Sequence, residues 1–212
     1  MRIVEVRPRR KHYVAVLTDD GGEMLVDKRT WEESPYGVGS SLSVEQLEDL
    51  YQRSERDRAR EKAVFLLSRR DYSRHELEQK LCREGGRFQA DRREYAAEAA
   101  ARMEELGYVN DEAYAQRLAR QYQCERLYPR RRAVEKLCEK GVDRATAQQA
   151  VAQLDCEDAQ LALEFLHKKR YNIPQSDEEA QKLMAALSRY GFAYEDIRRA
   201  IYAWQEEENH GN

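Results

Sequence analysis

Two short stretches place a cysteine where it could do chemistry. Residues 79–85 read QKLCREG and residues 135–141 read EKLCEKG. Thiols in matching contexts suggest a metal pair or a redox pair. The remaining residues argue against both. The cysteines are Cys82, Cys124, Cys138 and Cys156, with no CxxC, and His12, His75, His167 and His210 are scattered. A structural zinc site takes ligand pairs two to four residues apart. No metal site and no disulfide is therefore expected, and the cysteines read as small buried hydrophobes on helices.

Phosphate recognition is the other chemistry in view, because clustered cations with aromatics suit it. Arg7, Arg9, Arg10 and Lys11 form one cluster. Arg126, Arg130, Arg131 and Arg132 bracket Tyr128, with Lys136 beyond them. Lys168, Lys169, Arg170 and Tyr171 form a third. Cations at a helix C-terminus suit its dipole, which accounts for 168–170 without a partner. Cations at a helix start oppose the dipole, so Arg130–Arg132 are the stronger candidates for a contact surface. Arg69 and Arg70 read as a solvated helix end.

Catalysis finds no support. HExxH, GxSxG and Walker patterns are absent, and GVGSS (37–41) lacks the GK[ST] ending of a phosphate loop. The many carboxylates are explained by i,i+4 pairing with Lys and Arg. No enzyme activity and no cofactor is expected.

The elements that must position these residues are mostly helices. The chain has 212 residues, 36% charged and 9% aromatic, with 10 Gly and 4 Pro. The net charge of −3 argues against a simple DNA-coating protein but leaves room for local basic patches. No apolar run reaches ~18 residues and no secretory leader is read, so a cytoplasmic protein without a membrane span is expected. Residues 2–28 predict a meander of two or three strands that packs on a neighbouring helix. From Ser43 onward caps punctuate about nine helices. Ser43/Gln46, Ser73/Glu76 and Ser176/Glu179 fit the capping box, Asp91, Asn110 and Asp143 fit N-caps, and Pro129 fits a first turn. The first helix could break at 52–58 (QRSERDR), which has no apolar residue. Tyr95, Tyr108, Tyr114, Phe165, Phe192, Tyr194 and Trp204 fall at or near apolar helical positions and are expected in the core.

An internal repeat organises the rest. With Gly141 placed on Gly191, Ala133, Val134 and Leu137 fall on Leu183, Met184 and Leu187. Ala147, Ala150, Val151 and Leu154 fall on Ile197, Ala200, Ile201 and Trp204. With Gly85 on Gly141, Leu77 and Leu81 fall on Ala133 and Leu137, Cys82 on Cys138, and Ala99, Met103 and Leu106 on Ala147, Val151 and Leu154. Each set lines one helix face, and the Gly is a left-handed helix stop. The expected fold is mainly α: three tandem three-helix repeats in an elongated, curved array, preceded by a small N-terminal β-meander. Expected boundaries are 1–42 (meander), 43–60 (linking helix), 61–108, 109–155 and 156–208 (repeats), and 209–212 (tail).

The ordered motifs LLSRRDYSRHELEQKL (66–81), ELGYVNDEAYAQ (105–116), YPRRRAVEKLCEKGV (128–142) and LSRYGFAYEDIRRAI (187–201) resemble the bacterial regulatory protein family RecX. The resemblance spans about residues 60–204. It implies a non-enzymatic modulator of the RecA recombinase in recombinational repair and the SOS response. Such a protein binds RecA and RecA–DNA filaments, mostly inhibits strand exchange, ATP hydrolysis and coprotease activity, and binds single- and double-stranded DNA. A monomer is expected, with Arg9, Arg10, Arg126, Arg130, Arg131, Arg132, Lys136, Lys168, Lys169 and Arg170 as contact candidates. Two features depart from the family pattern: Tyr128 stands where Gly often precedes Pro-Arg-Arg, and Glu206–Glu208 form an acidic tail. A stand-alone helix-turn-helix-like DNA-binding protein is the alternative. Mixed charge on the third helices (AYEDIRRAI) argues against it.

Overall fold

The computed structural model describes residues 1–9, 12–82 and 89–211. Arg10, Lys11 and Gly85 of the sequence expectations lie outside the described residues. The chain divides into two compact units, Met1–Val109 and Asn110–Asn212.

The first unit opens with an antiparallel meander of β1 (Ile3–Pro8), β2 (Tyr13–Thr18) and β3 (Glu23–Asp27). Val16 pairs with Val6 on one side and Met24 on the other. A five-residue helix missed from sequence, α1 (Lys28–Glu32), follows at once, capped by the Asp27 carboxylate. The turn-rich connector then runs along the free edge of β1. Gly39 N–H donates to the Ile3 carbonyl and Ile3 N–H to the Ser40 carbonyl. That covers an edge that would otherwise expose unpaired backbone.

Helix α2 (Val44–Leu67) is continuous, and the expected break at 52–58 does not occur. Its polar stretch is where its neighbours dock by hydrogen bonding. Ser54, only 1% exposed, accepts from the Asp27 N–H at 2.6 Å. Thr30 Oγ1 donates to Asp57 at 3.1 Å, and Arg56 pairs with Glu98 of α4 (Gln89–Glu105). Above and below this band the packing is apolar. Leu50 closes the sheet core with Ile3, Val14, Val16 and Val26, while Ala63 joins Leu77 and Leu81 of α3 (Arg74–Cys82) and Ala99 and Met103 of α4. Asp91 lies within α4 and is not its cap. Leu106 is 48% exposed, unlike its aligned partners, and Val109 fills the core instead.

The second unit holds two repeats. One has α5 (Asp111–Arg120) running into a π-turn over Gln121–Glu125, then α6 (Arg130–Glu139) and α7 (Arg144–Ala152). The other has α8 (Asp158–Lys169), α9 (Asp177–Tyr190) and α10 (Tyr194–Gly211). The aligned leucines, Leu137 and Leu187, are fully buried in their respective cores, and Leu81, which aligns with them in the first unit, is buried too at 8% exposed. Gly141 and Gly191 both take positive φ, 83° and 116°, as helix stops. Of the seven aromatics expected inside, five are buried; Tyr108 and Tyr194 are 64% and 63% exposed. Tyr108 directly follows the helix-ending Gly107, and Tyr194 is the first residue of α10. Tyr72 and Tyr122 are buried instead.

Candidate partner-binding surface

The strongest sequence candidates surround α6, and the structure shows what each one touches. Helix α6 starts badly by local rules. Pro129 stands at the N-cap position and offers no side-chain hydrogen bond, no acid occupies the first turn, and three arginines do. The missing acceptor comes from the next repeat. Asp158, in the first turn of α8, accepts the Arg130 N–H on both carboxylate oxygens, at 2.9 and 3.2 Å. Burial raises the Asp158 pKa above the ordinary carboxylate value, the bond from Arg130 opposes that, and Asp196 adds to it.

Arg130 and Arg132 continue the junction. The Arg130 guanidinium donates to the Cys156 carbonyl through Nε at 3.2 Å and Nη2 at 3.0 Å. Arg132 lies between two rings, 4.4 Å from the centroid of Tyr128 and 4.3 Å from that of Tyr190, and donates to the Tyr190 carbonyl. The Tyr190 hydroxyl in turn donates to the Arg126 carbonyl at 2.7 Å. Burial pushes the Tyr190 phenol up, with Tyr128 adding to it. Tyr122, Tyr128, Tyr190 and Phe165 follow one another at centroid spacings of 5.7, 5.5 and 4.2 Å. Stacked guanidinium and offset aromatic rings are each attractive beyond the area they bury. Tyr128, which departs from the family's Gly, is thus a packing residue. Leu127 just before it takes a left-handed φ of 55°, which turns its side chain into the α8–α10 core while Tyr128 packs on the α5–α7 core. Lys168 Nζ donates to the Glu125 carbonyl at 2.7 Å. Three of the ten candidates, Arg130, Arg132 and Lys168, therefore hold neighbouring repeats together.

The others among the described residues point outward. The Arg131 side chain is 85% exposed and meets Glu135, one turn along, at 3.1 Å. Lys136 pairs with Glu139 at 2.7 Å. Lys169 lies 5.9 Å from the Phe165 ring, and Arg170, at a left-handed φ of 54°, ends α8. Exposed Arg126 sits 5.7 Å from the Tyr122 ring. In the first unit Arg9 pairs with Glu23 at 2.7 Å, and Arg70 meets Glu76 at 2.8 Å and lies over Tyr72 at 3.6 Å.

Two clefts flank Arg131. One, of about 470 Å³, runs between α6 and the α9–α10 turn and adds Lys136 and Arg189 to it. The other, of about 500 Å³, lies between α6 and α7, with Val134, Val151 and Ala152 as its floor and Arg130, Arg131 and Arg144 among its walls. Together they are lined by six cations and three carboxylates (Glu135, Glu139 and Asp158). Arg144 and Arg189 were missed from sequence because neither belongs to a basic run. Their helical position opposite α6 was the only signal.

Comparison with known proteins agrees with this architecture. Family models for the first, second and third three-helix domains of RecX match residues 59–85, 110–151 and 156–201. The regulatory protein RecX of Vibrio cholerae serotype O1 is 35% identical over 150 residues, covering 70% of this chain and 95% of that protein. The protein of the same name from Clostridioides difficile is 25% identical over 201 residues, 93% of this chain and 92% of its own. Two crystal structures share the fold. One of regulatory protein RecX has a TM-score of 0.64 at 18% identity, covering 93% of this chain and 97% of its own. RecX from Lactobacillus salivarius has 0.59 at 22%, covering 71% and 97%. Three domains matched in order, on helices whose cores repeat in register, lead to one conclusion: this chain belongs to the RecX family of regulatory proteins.

Proposed function

We propose that this protein binds RecA and RecA–DNA filaments in the cytoplasm and modulates their recombinase, ATPase and coprotease activities, mostly by inhibition, without catalysing a reaction itself. The observation that carries the reading is the ordered set of three RecX domains. The exposed basic face of α6 supports it, because it offers cations to phosphate or to an acidic protein surface beside an apolar groove. On this reading Arg131, Lys136, Arg144 and Arg189 make the contact, with Lys169, Arg170, Arg126 and Arg9 as further cations. Arg130 and Arg132 act behind them by fixing the helix.

The test is RecA's DNA-dependent ATPase titrated with substoichiometric protein, alongside co-sedimentation with RecA–DNA filaments. Inhibition that tracks filament binding is expected. No inhibition at any ratio, together with no filament binding, would sink the reading. A footprint on one defined DNA sequence, unaffected by RecA, would support a stand-alone DNA-binding protein instead. Arg131→Glu with Arg144→Glu should weaken filament binding and lower its salt dependence while helicity is kept.

A further inference from the structure

The last helices of the two repeats in the second unit present the same face. Residues 141–150 and 191–200 alternate buried and exposed positions identically. Arg144, Gln148 and Ala152 of α7 therefore stand where α10 carries Tyr194, Arg198 and Tyr202. On α7 this face borders the groove between α6 and α7, whose floor is Val134, Val151 and Ala152. The cations of its walls are unequally engaged. The Arg130 guanidinium is held by the carbonyl of Cys156, a residue that lies half-buried in a loop and not, as expected, on a helix. Arg131 meets Glu135. Among the described residues Arg144 makes no ion pair. It stands at the first position of α7, where the helix dipole disfavours a cation. Among the described residues no aromatic ring lines this groove, and Glu135 forms part of its wall.

We propose, resting on the RecA reading, that the α6–α7 groove takes an acidic protein segment and not DNA phosphate. An apolar side chain of that segment lies on Val134, Val151 and Ala152, and its carboxylates meet Arg144 and Arg131. Sites for single strands join cations to rings on which bases stack, and this groove offers the cations without the rings. Glu135 repels a phosphate backbone but leaves room for a segment that brings its acids to the arginine side. An apolar floor with charge at its edge is the usual anatomy of a protein–protein contact, and arginine pairs with carboxylates through two parallel hydrogen bonds. Arg131 gives up little in turning to such a partner, because its pair with Glu135 is exposed. The floor is open because residue 152 is alanine. Tyr202 holds the same position in the next repeat, and a tyrosine at 152 would cover the floor.

The test is Ala152→Tyr in the full chain, with helicity and melting temperature as the check on folding. Binding is measured to an immobilised single-stranded oligonucleotide, either bare or coated with RecA. The variant should lose about tenfold or more in affinity for the coated oligonucleotide, and the loss should persist as salt is raised. Its binding to the bare oligonucleotide should match that of the wild type, whether strong or absent. Ala152→Gln, a good helix former at an exposed position, is the second variant and should show the same split. Arg144→Gln should also weaken binding to the coated oligonucleotide, with a deficit that shrinks at high salt. Equal losses on the bare and coated forms would assign the groove to phosphate and overturn the proposal. Folded Ala152 variants that bind the coated form as wild type does would overturn it too, and would leave the RecA reading standing. A wild-type chain that fails to bind the coated form would sink the RecA reading itself, and this assignment with it.

Discussion

The first helices of the α5–α7 and α8–α10 segments' inner hairpins, α6 and α9, occupy equivalent places in two copies of one unit, yet they begin in opposite ways. Helix α9 is capped by its own sequence. Ser176 accepts the Glu179 N–H at 3.3 Å, Asp177, Glu178 and Glu179 fill its first turn, and Glu179 accepts from the Gln175 N–H. Its counterpart in the first unit, α3, likewise uses Ser73, which accepts the Glu76 N–H. Helix α6 has Pro129 and three arginines, and borrows Asp158 from the following repeat. Carboxylates at a helix start are favoured by the dipole and cations are not. Repeats 1 and 3 thus cap this helix from local sequence, while repeat 2 takes its capping acceptor from repeat 3. In exchange, α6 presents an arginine-rich face that a locally optimised start would not carry.

That contrast can be broken at several levels. The largest effects should ignore it. Leu137→Ala and Leu187→Ala remove equivalent, fully buried core anchors and should each lower stability by about 2–5 kcal/mol in denaturant unfolding. Arg132→Lys comes next. A lysine cannot keep a planar cation between the Tyr128 and Tyr190 rings, so a loss of about 1–2 kcal/mol is expected. Gly191→Ala should act at the same junction, because an added Cβ would sit 3.3 Å from Arg132 Cβ at a left-handed φ. It should lower the melting temperature more than Gly107→Ala, where φ is also positive but nothing lies within 4 Å.

The caps give the sharpest comparison. Ser176→Ala and Asp158→Ala should each cost about 1 kcal/mol, but only Asp158 should carry a pH signature. Its folded pKa lies above its unfolded one, mainly through burial. Between the two values the native state holds a proton that the unfolded chain has lost. The group's stabilisation is therefore fully present below the unfolded value and declines as pH rises through the folded one. Asp158→Asn should abolish that part of the slope in urea unfolding measured across the acidic range; an unchanged profile would show that the carboxylate titrates alike in both states. The smallest effect belongs to Arg131→Ala, at most about 0.5 kcal/mol, since its partner is an exposed i,i+4 carboxylate.

Much of the fold was legible because it follows local periodicity. The i, i+3, i+4, i+7 apolar sets of 133–154 and 183–204 fix the helix faces, and the glycines within them, Gly141 and Gly191, fix the stops. The QRSERDR stretch of α2 was harder. Its hydrogen bonds go to Asp27, Thr30 and Glu98, whose proximity no local pattern reveals. The candidate surface was legible only in part. The arginine run at 130–132 stood out by violating the helix dipole, but its members alternate between the junction and solvent. Arg131 points outward while its neighbours turn to Cys156 and Tyr190.

The two KLC stretches show where the division falls. By itself the sequence determined the repeat, its leucine anchors, its glycine stops and hence the family. These depend on residues within a helical turn or two of one another. The tertiary structure decided which arginines are structural and which carboxylate caps α6. Those outcomes depend on how one repeat's end packs on the next one's start, where a few ångströms choose the partner, and neither periodicity nor spacing encodes that distance.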